Sequence, residues 1–207
     1  MIPWLILAAC SAPSSTVPAD CPCDRIVLPA APVTTDGGLA DLLVATAVAA
    51  YPNLAALNLV ASPVANLQFF RSSIDLDSLD PNDDTTRVYR VDYDPVVLSD
   101  PPAPSALAAV LAHELGHIDD YTAMAAADYV SFGLWYGSAE GTDELATYER
   151  ATDEQALSRG CATGLSAMRD WIYAHCSGDV LAEKQRDYYS PDEIAAWTAE
   201  DGACTVN

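Results

Sequence analysis

The sequence predicts an α+β fold, a single and mostly helical domain with a small sheet packed on one central helix. Residues 105–121 and 144–157 have apolar side chains at steps of three and four, the spacing of helices that bury one face. Residues 86–94 alternate and contain β-branched and aromatic side chains, as half-buried strands do. A chain of 207 residues that is 51% hydrophobic supplies one core. We therefore expect residues 25–207 to form one domain.

The first part of this domain is predicted to contain two strands and a helix. Residues 25–33 have the composition of a short strand, and residues 67–71 of a second one. The alanine-rich segment 39–51 between them predicts a helix that Asp36 caps and Pro52 ends. An aspartate-rich loop follows, at residues 75–84. It could offer oxygen ligands to calcium, but it lacks an EF-hand pattern, so we favour a solvated loop.

The last part of the domain is predicted to be helical. Residues 165–175 carry Met168 at the spacing of core residues, which favours packing over a turn beneath a metal. Ser190 and Glu193 form a capping-box signature, which opens a final helix that extends to Trp197.

The central helix carries the pattern His113-Glu114-Leu-Gly-His117. His113 and His117 are one helical turn apart, so both imidazoles leave the same face. Two neutral imidazoles at that spacing can bind one zinc ion, and Glu114 beside them can take a proton from zinc-activated water. With only three histidines in the chain, chance placement is improbable, and a buried helix with two satisfied histidines is the weaker alternative. Gly116 costs the helix about 1 kcal/mol relative to alanine, so we expect another backbone to approach it closely.

A catalytic zinc site needs a third protein ligand and one open position. The long metzincin pattern requires histidine six residues after His117, where Ala123 stands, so that class is excluded. The remaining histidine, His175, is distant in sequence, which makes a carboxylate the more natural third ligand.

Helical phase selects one carboxylate in residues 144–157. Glu149 lies on the stripe of small and apolar residues, whereas Glu144 and Glu154 share stripes with polar ones. Asp153 follows Glu149 by one turn. It is therefore placed to hydrogen-bond a ligand imidazole and to fix its tautomer.

An H-E-x-x-H helix followed by Glu149-x-x-x-Asp153-x-x-Ala156 resembles the gluzincin metallopeptidases of the CAAX prenyl protease and HtpX type. The likeness covers residues 108–160, about a quarter of the chain. It implies a zincin-like fold and hydrolysis of peptide bonds in a protein or peptide substrate. In that family the matching residues have these roles: His113, His117 and Glu149 bind Zn2+, Glu114 is the general base, and Asp153 orients a histidine. The family's transmembrane helices have no counterpart here, so its substrate class is not implied.

Substrate binding would involve three further features. In zincins an edge strand above the zinc helix pairs with an extended substrate, and residues 89–98 could be that edge or an interior strand. The developing oxyanion needs a second donor, for which His175, Tyr148 and Tyr136 are candidates. The aromatic segment 121–141 is predicted to be a loop that either walls a specificity pocket or belongs to the core.

The alternative function is a catalytically silent zinc-binding lipoprotein that acts as a binding or structural module. Glu114 counts against it, because a structural zinc site needs no base. An H-E-x-x-H pattern that binds no metal is the third possibility.

The amino terminus resembles that of a bacterial lipoprotein. Leu7-Ala8-Ala9-Cys10 is similar to a lipobox, so residues 1–9 would be a signal segment and Cys10 the lipidated residue. No lysine or arginine precedes this short apolar run, which departs from the usual pattern, and a free apolar strand is the alternative. Residues 10–24 are rich in Ser, Pro and Ala and predict a tether. We expect an extracytoplasmic protein, in the outer membrane or at the cell surface, whose only membrane contact is this anchor.

The net charge of -21 excludes nucleic acid as a partner, because an acidic surface repels phosphate. We expect the acidic surface to serve solubility. A preference for basic substrates is the alternative. Oligomeric state is not predicted.

The five cysteines after Cys10 are expected to form disulfides outside the cytoplasm. We favour a bridge between Cys161 and Cys176, or from one of them to Cys204. Cys21 or Cys23 is a further candidate partner for the carboxyl-terminal cysteine, and the odd count leaves one thiol.

Overall fold

The structure, a computed structural model, describes residues 21–201, and these are mostly helical with one three-stranded sheet. The predicted α+β class is confirmed. The strands are β1 (Asn58–Pro63), β2 (Phe70–Ile74) and β3 (Val88–Tyr93). The helices are α1 (Asp36–Ala50), α2 (Val96–Ser99), α3 (Pro104–Thr122), α4 (Ala126–Ser138), α5 (Asp143–Ser158), α6 (Ala162–His175), α7 (Gly178–Asp187) and α8 (Pro191–Asp201).

Helix α3 is the element around which the others pack. Its predicted apolar stripe of Leu107, Leu111, Leu115 and Ile118 is completely buried. Helices α1, α5 and α6 and the sheet all contact it. The side of α3 that carries His113, Glu114 and His117 therefore faces α5 and β2.

Two glycines set how closely the helices approach α3. At Gly116 the close neighbour is a side chain and not the predicted backbone, because an added Cβ would lie 2.9 Å from Cγ2 of Thr152 on α5. The close backbone approach is at Gly164 of α6, where an added Cβ would overlap the carbonyl oxygen of Ser105 and lie 2.8 Å from the Cβ of Ala109.

The sheet has the order β1-β3-β2, with β1 parallel and β2 antiparallel to β3. The strand predicted at 86–94 is confirmed as β3, but it lies between the other two. The hypothesis that residues 89–98 form a free edge is therefore wrong, and the edge beside α3 is β2. Strand β2 begins at Phe70, later than predicted, because Phe69 has a positive φ that belongs to a turn.

The remaining helices agree with the prediction in part. The segment 121–141 contains helix α4 instead of a loop. No residue of α4 itself is buried. The final helix opens with the predicted capping box, in which Ser190 N donates to Glu193 Oε2 and Glu193 N to Ser190 Oγ. Met168 is fully buried in the core, as expected. Residues 25–33 form no strand.

A disulfide joins Cys23 to Cys161, and Cys21 is also disulfide-bonded. The favoured bridges, between Cys161 and Cys176 or from one of them to Cys204, are therefore wrong, because Cys161 is bonded to Cys23 and Cys176 is a free thiol. Cys10 and Cys204 lie outside the described residues, as do the predicted signal segment and most of the predicted tether. Within residues 21–201, no helix has both the length and the apolar character needed to cross a bilayer.

Candidate metal centre

Three side chains from two helices meet at one point. Nε2 of His113 and Nε2 of His117 are 3.2 Å apart. Oε2 of Glu149 lies 3.3 Å from the first and 3.2 Å from the second. These residues are buried, with exposures of 2%, 5% and 1%. Helix α3 supplies both imidazoles and α5 supplies the carboxylate, so the three predicted ligands are together and could hold a metal ion.

The donor set and its dimensions fit a metal ion. Bonds of about 2.0–2.1 Å to a tetrahedral zinc ion place its ligand atoms about 3.3 Å apart, close to the distances observed here. Oε2 of Glu149 is buried and has no hydrogen-bond partner. With both imidazoles neutral and protonated on Nδ1, three acceptor lone pairs face each other, an arrangement that a cation stabilises.

His113 is held from behind by a buried carboxylate. Its Nδ1 is 2.8 Å from Oδ1 of Asp153, so an N–H donated there leaves Nε2 for the metal. Arg169 donates to the same oxygen at 2.6 Å, and the backbone N–H of Tyr189 donates to Oδ2 at 3.0 Å. Burial would raise the pKa of Asp153, but Arg169 and His113 outweigh burial and lower it. The role predicted for Asp153 fits this geometry.

His117 is held by a phenol. Its Nδ1 lies 3.0 Å from the hydroxyl of Tyr148, which itself interacts with Asp120. The hydroxyl of Tyr148 thus lies behind the imidazole and not on the cavity side. The ring of Tyr121 stacks on His117, with ring centroids 6.3 Å apart. Tyr148 is better described as a support for His117 than as the predicted oxyanion donor.

The surrounding carboxylates favour positive charge at the centre. Burial disfavours the charged form of His113, yet the carboxylates of Asp153 and Glu149 beside its ring raise the pKa of His113 to about 10. Burial would likewise raise the pKa of Glu149, but the two imidazoles lower it well below its usual value. A cation between these groups is therefore stabilised whether it is a proton or a metal ion.

Glu114 projects from α3 toward β2 and is 5% exposed. The hydroxyl of Ser72 is 2.5 Å from Oε2 of Glu114 and 2.9 Å from its backbone oxygen. The edge strand therefore fixes the orientation of the predicted base. Nothing in the sequence around Ser72 indicates this contact, because it joins positions 42 residues apart.

A cavity of about 260 Å³ opens beside the candidate ligands. Glu114, His117 and Glu149 lie on one side of it. The hydroxyl of Tyr136, on α4, donates to Oε1 of Glu149 at 2.6 Å. Burial and the Glu149 carboxylate raise the pKa of Tyr136, so its phenol stays protonated. The other walls are Phe70, Arg71, Ser72, Ser73, Tyr121, Tyr129, Phe132, Gly133 and Tyr188.

The structure does not bring His175 to this cavity. His175 ends α6, where Nε2 lies 3.0 Å from Oδ2 of Asp100 and the ring stacks on Trp171 at 4.0 Å. Of the three predicted oxyanion donors, only Tyr136 lines the cavity. Sequence analysis did not identify Arg169, whose position near Met168 on the inner face of α6 was the available signal.

Comparisons with protein-family models, with curated proteins and with solved structures give no match.

Proposed function

We propose that this protein is a zinc-dependent metalloendopeptidase of the gluzincin type. The observation that carries the proposal is the buried triangle of His113, His117 and Glu149 next to the Glu114 carboxylate, at the wall of an open cavity. A purely structural zinc site is closed by four protein ligands. Among residues 21–201, three candidate ligands converge here, and Glu114, the proposed base, lies beside them.

Zinc is the proposed metal because two imidazole nitrogens and one carboxylate oxygen form a donor set typical of catalytic zinc. Zinc supplies Lewis acidity, which polarises a carbonyl oxygen and lowers the pKa of water. Arg169 offsets the charge of Asp153, so the positive charge of the metal is balanced by Glu149 and Glu114.

Glu114 is the proposed general base. Its carboxylate takes a proton from the water that attacks the peptide carbonyl, and the same carboxyl group then gives a proton to the leaving amine. Ser72 holds this carboxylate in place through the hydrogen bond to Oε2. Tyr136 is the remaining candidate for the second oxyanion donor, and Asp153 and Tyr148 keep the two imidazoles in the ligating tautomer.

Strand β2 is the proposed binding edge for an extended substrate. The N–H of Asp94 donates to the carbonyl of Phe69, and the N–H of Asp75 donates to that of Val88. In this register the backbone groups of the odd-numbered residues Arg71 and Ser73 hydrogen-bond to β3. Those of the even-numbered residues of β2 point to the opposite side, away from β3. Main-chain pairing at this edge would give affinity that is independent of substrate sequence.

The far end of this edge is closed by a side chain. The N–H of Ile74 donates to the hydroxyl of Tyr129 on α4 at 2.8 Å. The outward backbone groups of Phe70 and Ser72 remain for the substrate, directly beside Glu114.

We also propose an extracytoplasmic location with a lipid anchor on Cys10. The disulfide between Cys23 and Cys161 supports the extracytoplasmic location, because such bonds persist in oxidising compartments.

Metal content tests the ligand set. The protein purified with zinc should contain about one ion per chain, and Glu149→Ala should lose most of it. Glu144→Ala is the matched control, because Glu144 is an exposed carboxylate on the same helix. Equal zinc in both variants would remove Glu149 from the site.

Cleavage of casein or peptides tests the reaction. Glu114→Gln should keep its zinc and lose about 10²–10⁴-fold in turnover, the usual contribution of a general base. Equal activity in both proteins would contradict the mechanism. Bound zinc without any cleavage by the wild-type protein would favour the silent binding module instead.

A further inference from the structure

One face of α4 forms a wall of the cavity, of which the proposed mechanism uses only the hydroxyl of Tyr136. Tyr129, Phe132, Gly133 and Tyr136 all line the cavity, and their spacing of three or four residues places them on one side of the helix. Both phenols are anchored, Tyr129 to the backbone of β2 and Tyr136 to Glu149. The aromatic wall is therefore fixed to the edge strand at one end and to the metal centre at the other.

Gly133 leaves a recess in this wall. A Cβ built at Gly133 would have no atom within 4 Å outside its own helix turn. The rings of Phe132 and Tyr136 lie next to this position and contact each other, with centroids 5.9 Å apart. The recess is therefore an open position without a side chain beside a pair of aromatic rings.

We propose that this recess binds one bulky uncharged side chain of the substrate, aromatic or branched aliphatic, next to the scissile bond. The inference rests on the proposed peptidase function. An apolar cavity of about 150 Å³ accommodates benzene. The observed 260 Å³ leaves room for one such side chain beside the peptide group.

The charges around the cavity favour an uncharged occupant. Arg71 is paired with Asp92 at 2.8 Å. Glu114 accepts a hydrogen bond from Ser72, and Glu149 belongs to the metal centre. A lysine side chain in the recess would compete with the metal centre for Glu114 and Glu149, and a glutamate side chain could pair only with Arg71, whose side chain is 56% exposed. Burying such a charge without a partner is costly, whereas burying an apolar side chain is favourable.

Peptides that differ at one position test this inference. We would use internally quenched peptides with Phe, Leu, Ala or Lys on either side of the cleaved bond, with cleavage positions assigned by mass spectrometry. The wild-type protein should cleave the Phe and Leu peptides with kcat/KM about tenfold or more above that for Ala and Lys. A preference for lysine, or equal rates for Phe and Ala, would overturn the proposal.

Gly133→Leu fills the recess and should not disturb folding, because leucine favours helices more than glycine does. It should lower kcat/KM for the Phe peptide about tenfold more than that for the Ala peptide. Gly137→Leu is the matched control, since Gly137 lies one turn further on α4, has nothing within 4 Å and does not line the cavity. An unchanged ratio of Phe to Ala in Gly133→Leu would refute the recess.

A binding measurement separates this inference from the proposed function. In the zinc-loaded Glu114→Gln background, calorimetry should show that the Phe peptide binds about tenfold more tightly than the Ala peptide, and that Gly133→Leu removes the difference. If the wild-type protein cleaves no peptide, the peptidase function fails while this titration still tests the recess. If cleavage occurs without any contribution of the recess to binding, only the recess fails.

Discussion

The side chain of Ser72 illustrates how a single residue from another element controls the candidate base. Its hydroxyl bonds the Glu114 carboxylate, and both groups are buried. Without that bond the carboxylate would be free to adopt several orientations toward the cavity. A hydrogen bond to a charged group contributes about 1.5–3 kcal/mol, so its loss is large enough to measure in turnover.

Ser72→Ala is therefore expected to lower kcat by about tenfold or more, the rate equivalent of that hydrogen bond, while zinc content stays unchanged. Steady-state kinetics and metal analysis on the same sample measure both quantities. Ser72→Thr keeps the hydroxyl and should recover most of the activity. An alanine variant with the turnover of the wild type would show that Glu114 needs no such support.

In the proposed metal centre, Asp153 would act on the metal through His113. Replacing it with asparagine removes the charge that stabilises the ligating imidazole, and it leaves Arg169 buried without its carboxylate. We expect Asp153→Asn to weaken zinc binding by about 10–100-fold. Competition with a chromogenic chelator measures this affinity.

The control for that variant is Asp170→Asn, which changes an exposed aspartate on α6 next to Arg169. Its zinc affinity should equal that of the wild type. Equal affinity in both variants would mean that Asp153 serves the packing of Arg169 and not the metal.

Helix α6 crosses α3 where Gly164 meets the backbone of Ser105. The residue is buried, and its contact is a carbonyl oxygen that no side-chain rotation can move away. A methyl group at this point therefore forces the two helices apart. The displacement would extend along α6 to Arg169, which donates to Asp153 behind the candidate metal centre.

Gly164→Ala should accordingly reduce the free energy of unfolding by about 1–3 kcal/mol, the usual cost of overpacking. Gly37→Ala is the comparison, because Gly37 in α1 has nothing within 4 Å, and its replacement should be neutral or slightly stabilising. Urea denaturation measures both. A neutral Gly164→Ala would show that the crossing of the helices adjusts without cost.

The identity of β3 as a strand is a local property of its sequence, whereas its position in the sheet is not. The alternation of residues 86–94 is sufficient to identify β3, because side-chain direction along a strand has a period of two. Its central place in the sheet depends on parallel pairing with β1 and antiparallel pairing with β2. Those pairings join segments distant in sequence, so alternation could not show that β2 is the free edge.

At the scale of the whole molecule, the disulfide ties the first described residues to the start of α6. Cys23 and Cys161 are separated by 138 positions, and the N–H of Cys23 also donates to the carbonyl of Arg159 at 3.0 Å. A covalent link over so long a loop restricts the unfolded chain strongly in the entropic description of disulfides. The amino-terminal segment is thereby fixed beside the junction of α5 and α6.

Cys23→Ser should lower stability by about 2–5 kcal/mol, which corresponds to a decrease of about 5–15 °C in Tm for a chain of this size. Cys176→Ser is the control, because Cys176 is a free thiol and its loss should leave Tm nearly unchanged. Thermal unfolding followed by circular dichroism compares the two. A larger effect from Cys176→Ser would contradict the assigned pairing.

The sequence by itself predicted the two helices and the three candidate ligands His113, His117 and Glu149, which the structure brings together. Helical periodicity is a property of neighbouring residues, and a spacing of four places two side chains on one face regardless of what packs against it. It also separated Glu149 from Glu144, since only one of them shares the buried stripe.

Only the tertiary structure decided what surrounds those ligands. The contacts of Ser72 with Glu114 and of Arg169 with Asp153, the cavity wall formed by α4 and the removal of His175 from the site all depend on chain segments that meet after folding. Such contacts leave no period in the sequence, because they are selected by the packing of whole elements against α3.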